Sequence, residues 1–258
     1  MISILSIILL ILLIIVGKTR GIKTFVTFYL SFLLILIYIV LLRLGANPII
    51  FAIIICIIAS SSTLFIINGV NIKTKASFYS IMFILLFIYL LISVISHKSH
   101  IQGFSVESIE NIGAFSYDIG VNMIDIIIGM YLICIIGTVI DTSISISSAM
   151  NEVLENNPHL NSKELYKSGM NVGSDILATT INTLFFAMLS SFIGFFLWHR
   201  GVNFGFIVNY KSFGQELIQL LISFIGSILI IPITAYVTSK MLKKEKIIKL
   251  KYKSYLKR

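Results

Sequence analysis

Two carboxylates lie inside long hydrophobic segments of this chain, where ionisable residues are scarce. Asp141 lies near the end of the segment 119–143, and Asp175 lies near the start of the segment 172–198. A charged side chain at the centre of a bilayer costs about 2.5–3.5 kcal/mol on insertion scales, so such residues tend to serve ion pathways or proton relays. Two carboxylates in one poorly hydrated site can hold a proton or a cation between them.

Polar side chains accompany both carboxylates at helical spacing. Gly137 and Ser145 share a helical stripe with Asp141. The polar residues around Asp175 also fall on one helical face: Asn171, Asp175, Thr179, Asn182 and Thr183. We therefore predict a polar seam between the two helices, whose candidate ion-coupling residues are Asp141, Asp175, Ser145, Thr179, Asn182 and Thr183.

Glycines flank this seam. Gly169 and Gly173 are four residues apart, a spacing of small residues that lets another backbone approach closely. We predict that these two and Gly137 are helix-packing positions. A structural explanation stays open, in which both acids lie in the headgroup region, solvated or capping a helix. The Thr and Asn side chains would then serve only as interhelical hydrogen bonds.

The composition identifies the elements that must position these residues. Apolar residues make up 57% of the 258 positions and charged residues only 12%, with a mean hydropathy of +1.01. A soluble domain is typically about a quarter charged. A membrane-spanning helix needs about 20 apolar residues. We predict an all-α, polytopic transmembrane helix bundle of about seven spans, near residues 2–16, 22–44, 48–70, 76–95, 119–143, 172–198 and 217–236.

Basic residues predict the orientation of this bundle, because cytoplasmic connections carry an excess of Lys and Arg. With the N-terminus outside and the C-terminus cytoplasmic, sixteen basic residues lie on the inner side and four on the outer side. We expect a multi-pass protein of the cell membrane, with a transmembrane domain over 1–240 and a basic cytoplasmic tail over 241–258. Glu216, near the outer end of the last span, is predicted to be interfacial.

The net charge of +9 has a local origin. Nine of the twenty basic residues lie between Lys240 and Arg258, after the last span. This pattern predicts contact with the anionic inner leaflet of the bilayer and argues against nucleic-acid binding. Cys56 and Cys134 lie inside hydrophobic segments, where free cysteine is normally a packing residue. No cofactor motif or metal site is predicted.

The motif around the two carboxylates resembles the YibE/F family of bacterial membrane proteins. The resemblance rests on the stretch from Gly137 to Glu152, which includes Asp141 and a Ser-rich run, and on the two following runs Ser168-Gly-Met-Asn-Val-Gly-Ser-Asp175 and Thr179-Thr180-Ile-Asn182-Thr183-Leu. A short chain of this kind is similar to the YibF-type member. The resemblance implies a YibE-type companion membrane protein, and a homo-oligomer is the other expected assembly.

A more remote resemblance connects the same motif with proton-driven exporters. The order Gly-x-x-x-Asp, Glu, a cytoplasmic connection, Gly and a Thr-rich span is similar to the membrane half of the RND, MMPL and SecD/SecF proteins. The resemblance implies a proton-transfer role for Asp141. No Lys or Arg in the middle of a span is available to pair with the acid.

Two functions are therefore expected. The first is a subunit of a bacterial secondary transporter or exporter, coupled to protons or cations through Asp141 and Asp175. The alternative is a non-transporting accessory or signalling subunit that works with a YibE-type partner. An enzyme is not expected. Tyr117-Asp118 and Gly173-Ser174-Asp175 only partly match intramembrane aspartyl proteases and lie toward opposite membrane faces.

Overall fold

The computed structural model of the chain describes residues 1–98, 122–198, 201, 203, 205 and 209–255. Within these residues six helices are formed, which we number in chain order: α1 (Ile2–Arg43), α2 (Pro48–Asn68), α3 (Ile72–Lys98), α4 (Met123–Asn156), α5 (Ser162–Trp198) and α6 (Lys211–Tyr255). All six are long and apolar enough to cross a membrane. The predicted all-α architecture of membrane-length helices is confirmed for the described residues. Most of the predicted outer connection between α3 and α4 lies outside the described residues.

Helix α1 contains both of the first two predicted spans. It is interrupted at Lys18, whose backbone adopts φ 48° and ψ −125°. The two halves fold back on each other, as the hydrogen bond between the Ser6 and Tyr29 hydroxyls on either side of the break shows. Gly21 lies so close to the carbonyl of Leu13 that a Cβ atom there would collide with it. The predicted first two spans are thus one interrupted helix in this structure.

The connection between α4 and α5 is short because both helices extend beyond their predicted spans. Asn161 caps α5, since its Oδ1 accepts hydrogen bonds from the backbone N–H groups of Lys163 and Glu164, both at 2.9 Å. Glu164 in turn accepts from the backbone N–H of Asn161 at 2.7 Å, which completes a reciprocal capping arrangement. The capped segment continues into the membrane span as a single helix, α5.

A cluster of hydroxyl groups joins α3, α4 and α6 at the centre of the bundle. The Ser77 and Ser147 hydroxyls are 2.7 Å apart, and the Ser143 hydroxyl is 3.0 Å from that of Thr234. Ser77 also donates to the backbone carbonyl of Ser143 at 3.2 Å. All four side chains are buried, so these hydrogen bonds fix which face of α4 points into the bundle.

Two glycines allow α5 to pack closely on α4 and α6. A Cβ atom at Gly173 would collide with Ile231 of α6 and would lie 3.2 Å from Ile146 of α4. A Cβ atom at Gly169 would similarly meet Met150 of α4 and Ala235 of α6. Gly137, on α4, has nothing within 4 Å of the position that its Cβ would occupy.

These contacts predict opposite effects for two alanine substitutions. We expect Gly173→Ala to lower the free energy of unfolding by about 1–3 kcal/mol, the usual cost of overpacking a filled core. We expect Gly137→Ala to be neutral or to raise it by up to about 1 kcal/mol, because alanine favours the helix and meets no neighbour. Reversible unfolding in detergent micelles would measure both, and equal losses at the two positions would contradict this packing.

Candidate functional site

Asp141 lies at the edge of a cavity between α1, α2 and α4. The cavity has a volume of about 230 Å³. Its walls are mainly aliphatic, and Asp141 is accompanied by three other polar or sulfur-containing side chains: Ser31 of α1 and Cys56 and Thr63 of α2. A single carboxylate in such a cavity can bind a proton or one small cation, since the apolar walls leave little else to neutralise it.

The hydroxyl cluster determines the direction in which Asp141 points. At about 100° per residue, Asp141 lies about 160° around α4 from Ser143. Because Ser143 is held inside the bundle by Thr234 and Ser77, Asp141 is turned outward, and its side chain is exposed. Asp141 has no hydrogen bond or ion pair with any other residue that the structure describes.

Gly137 and Ser145 share this outward stripe of α4, one turn before and one turn after Asp141. Gly137 also lines the cavity. Without a side chain at Gly137, open space remains next to the Asp141 carboxylate. Gly137 therefore gives the cavity room and makes no close packing contact of the kind that Gly169 and Gly173 make.

Within one chain the structure does not bring Asp141 and Asp175 together. Helix α5 contacts α4 at Ile146 and Met150, which lie about 140° and 180° around α4 from Asp141. On α5, Asp175 lies about 160° from Gly173, the residue that faces this contact. The two carboxylates therefore point away from the α4–α5 contact, on different sides of the bundle.

The whole polar face predicted on α5 is exposed. Asn171, Asp175, Thr179, Asn182 and Thr183 all have exposed side chains. Two of the hydroxyls are satisfied within the helix, since Thr179 donates to the carbonyl of Ile176 at 2.8 Å and Thr183 to that of Thr179 at 2.9 Å. Among the described residues, no hydrogen-bond partner is found for the side chains of Asn171, Asp175 and Asn182.

A second carboxylate cavity lies between α4, α5 and α6. It has a volume of about 220 Å³ and contains Glu216. Polar side chains from all three helices line it: Cys134, Ser191, Gln219 and Ser223. The Gln219 amide donates to the Cys134 sulfur at 3.1 Å. A signal for this site was present in the sequence, because Glu216, Gln219 and Ser223 recur at helical spacing, but the contributions of α4 and α5 depend on packing.

Residues of the types that bind metal ions do not converge in the described part of the chain. No group of three or more His, Cys, Asp or Glu side chains there could hold a metal ion. Cys56 and Cys134 are both free, the first buried and the second exposed. The polar side chains that line the two cavities carry carboxylate, amide, hydroxyl and thiol groups.

Comparison with known proteins agrees with the motif and the helical fold. The family model described as YibE/F-like protein matches residues 5–244, which include all six membrane-length helices in whole or in part. No curated protein and no solved structure matches the chain significantly. Because one family model covers most of its length, the chain belongs to the YibE/F-like family.

Proposed function

We propose that this protein is a subunit of a bacterial secondary transporter or exporter in which Asp141 binds the coupling proton or cation. The observation that carries the proposal is the position of the Asp141 carboxylate on a cavity formed by three membrane-length helices, α1, α2 and α4. A carboxylate without a partner in such a place is costly. A transported proton or cation would remove that cost each time it binds.

The lining of the cavity supports a small ligand. Ser31 and Thr63 offer hydroxyl oxygens from α1 and α2, on the walls opposite α4. Oxygen atoms of this kind suit a proton, a hydrated proton or an alkali cation. Binding would neutralise Asp141 and allow α4 to move relative to α1 and α2 without exposing a charge to lipid. A movement of this kind can open a binding site to one side of the membrane and then to the other, which is the essential step of secondary transport.

The proposed arrangement in the membrane has seven spans, because the break at Lys18 lets the two halves of α1 cross the membrane separately. The N-terminus then lies outside, and the C-terminus lies in the cytoplasm. The basic residues between Lys240 and Arg258 would meet the anionic inner leaflet, each contributing about 1 kcal/mol near the surface. The proposed location is the bacterial cell membrane.

A partner chain is part of the proposal. The exposed polar face of α5 is unsuited to lipid and favours contact with another protein, either a YibE-type companion or a second copy. The same observation also favours the alternative function, a non-transporting accessory or signalling subunit. The reactivity of Asp141 separates the two functions, because only a transporter subunit needs that carboxylate to exchange a proton or cation.

Labelling with a hydrophobic carbodiimide would test the role of Asp141 without a known substrate. This reagent modifies carboxylic acids inside membranes, where apolar surroundings keep water from the reacting group. We expect stoichiometric modification of the reconstituted protein at Asp141, loss of that product in Asp141→Asn, and slower modification when Na⁺ is added if the coupling ion is Na⁺. Mass spectrometry of the digested protein would locate the modified residue.

Glu152→Gln is the matched control for this experiment. Glu152 lies on the same helix as Asp141, near the end of α4, and is exposed. We expect its replacement to leave labelling of Asp141 unchanged. If Asp141 remains unmodified while other carboxylates of the protein react, ion coupling through this residue is wrong, and the accessory-subunit function is favoured.

Cysteine accessibility would test the proposed seven spans. We expect Ser3→Cys to react with a membrane-impermeant maleimide applied to intact cells, because the first half of α1 would begin outside. We expect Lys244→Cys to react only after the membrane is permeabilised. If Ser3→Cys also requires permeabilisation, α1 crosses the membrane once, and the protein has six spans.

A further inference from the structure

The outward face of α5 has the residue pattern of a helix–helix interface. Asn171, Asp175, Ala178 and Asn182 are all exposed. They follow one another at intervals of four, three and four residues, which is the spacing of the contact line between two parallel helices. Ala178, in the middle of this line, is small enough to let another helix approach closely.

This line, which we call the α5 seam, is unsuited to lipid. The three polar side chains on it have no hydrogen-bond partner among the described residues. At 1.5 Å per residue, Asp175 lies about 20 Å and Asn182 about 30 Å from the start of α5 at Ser162. The hydrogen-bonding groups of the seam therefore extend well along the helix and are left to a neighbouring protein.

We infer that two copies of this chain associate through the α5 seam, about a twofold axis perpendicular to the membrane. The seam carries both hydrogen-bond donors and hydrogen-bond acceptors, so the seam of a second copy can supply the partners that the polar side chains of the first copy lack. In a parallel pair of helices, each residue on the contact line faces the same residue of the second copy. It also lies near the residues of the second copy that are one turn away. The amide of Asn171 in one copy can then donate to the carboxylate of Asp175 in the other, and the two Asn182 amides can bond to each other.

This arrangement also places the two Asp175 carboxylates opposite each other across the axis. Two carboxylates that face each other repel when both are ionised, and a proton or a monovalent cation bound between them would remove this repulsion. The pairing of Asp175 as an ion site rests on the proposed function, whereas the association of the two helices does not. A polar site that one chain leaves incomplete is thus completed by the second copy.

Disulfide formation in proteoliposomes would test the association with the full-length protein. Cys134→Ser removes the exposed thiol, while Cys56 is buried and stays. In this background we expect Ala178→Cys to form a disulfide-linked dimer with copper phenanthroline, because its Cα atoms approach within about 7 Å across the axis. Ala187→Cys is the matched control, since Ala187 is also an exposed alanine of α5 but lies about 180° around the helix from Ala178.

Charge exchange at Asp175 makes the test specific to the pair. We expect Asp175→Asn to keep the Ala178→Cys dimer, and Asp175→Lys alone to lose it through repulsion of two lysines. Mixing differently tagged Asp175→Lys and wild-type chains, each with the cysteine at 178, should restore the cross-link as a mixed dimer. The cross-linking yield of chains that keep Asp175 would then be compared in Na⁺ and in choline. A higher yield in Na⁺ would assign the positive charge between the carboxylates to a cation, and an equal yield would assign it to a proton.

Two results would overturn the inference. One is no more dimer with the cysteine at 178 than with the cysteine at 187, which would show that two copies do not associate through the seam. The other is the same yield of disulfide-linked dimer from Asp175→Lys as from the chain with Asp175.

Asn182→Leu gives an independent measurement, since loss of one interhelical hydrogen bond should weaken association about threefold in a fluorescence-transfer assay. Failure here with Asp141 still modified by carbodiimide would leave the proposed function standing.

Discussion

The rotation of α4 about its own axis depends on the hydroxyl cluster formed by Ser77, Ser143, Ser147 and Thr234. Each interhelical hydrogen bond inside a membrane contributes about 0.6 kcal/mol on average, and the buried aliphatic side chains of α4 on the same side add to this. Turning α4 to bury Asp141 would break these bonds and move a carboxylate into the mainly aliphatic interior of the bundle, where a charge is costly. The cluster therefore holds Asp141 on the outward face, at the cavity with α1 and α2.

Close packing at two glycines has the corresponding effect on α5. Gly169 and Gly173 bring this helix against α4 and α6, and Asp175 with both Asn side chains is thereby left on the opposite face. The two carboxylates that the sequence places in one motif, Asp141 and Asp175, thus lie in different surroundings in the structure. The carboxylate of α4 belongs to a cavity within the chain, whereas that of α5 belongs to the surface of the bundle.

The sequence predicts the elements of this fold well, because twenty apolar residues in a row leave the backbone no alternative to a helix in lipid. It also identifies the polar stripes on α4 and α5, since helical periodicity determines which side chains share a face. It does not predict which face meets which neighbour. That depends on packing partners distant in sequence, such as Ile231 opposite Gly173, and for the same reason the contributions of Ser31, Cys56 and Thr63 to the Asp141 cavity were missed.

In the proposed seven-span arrangement, the backbone break at Lys18 would affect how the chain enters the bilayer during synthesis. From Ile2 to Gly17 there is no charged side chain, so nothing holds this segment in water once it leaves the ribosome. The two halves of α1 already touch at Ser6 and Tyr29, without a loop between them. A hairpin of this kind can enter the membrane as one unit, with the positive charges at its turn remaining on the side from which it inserts.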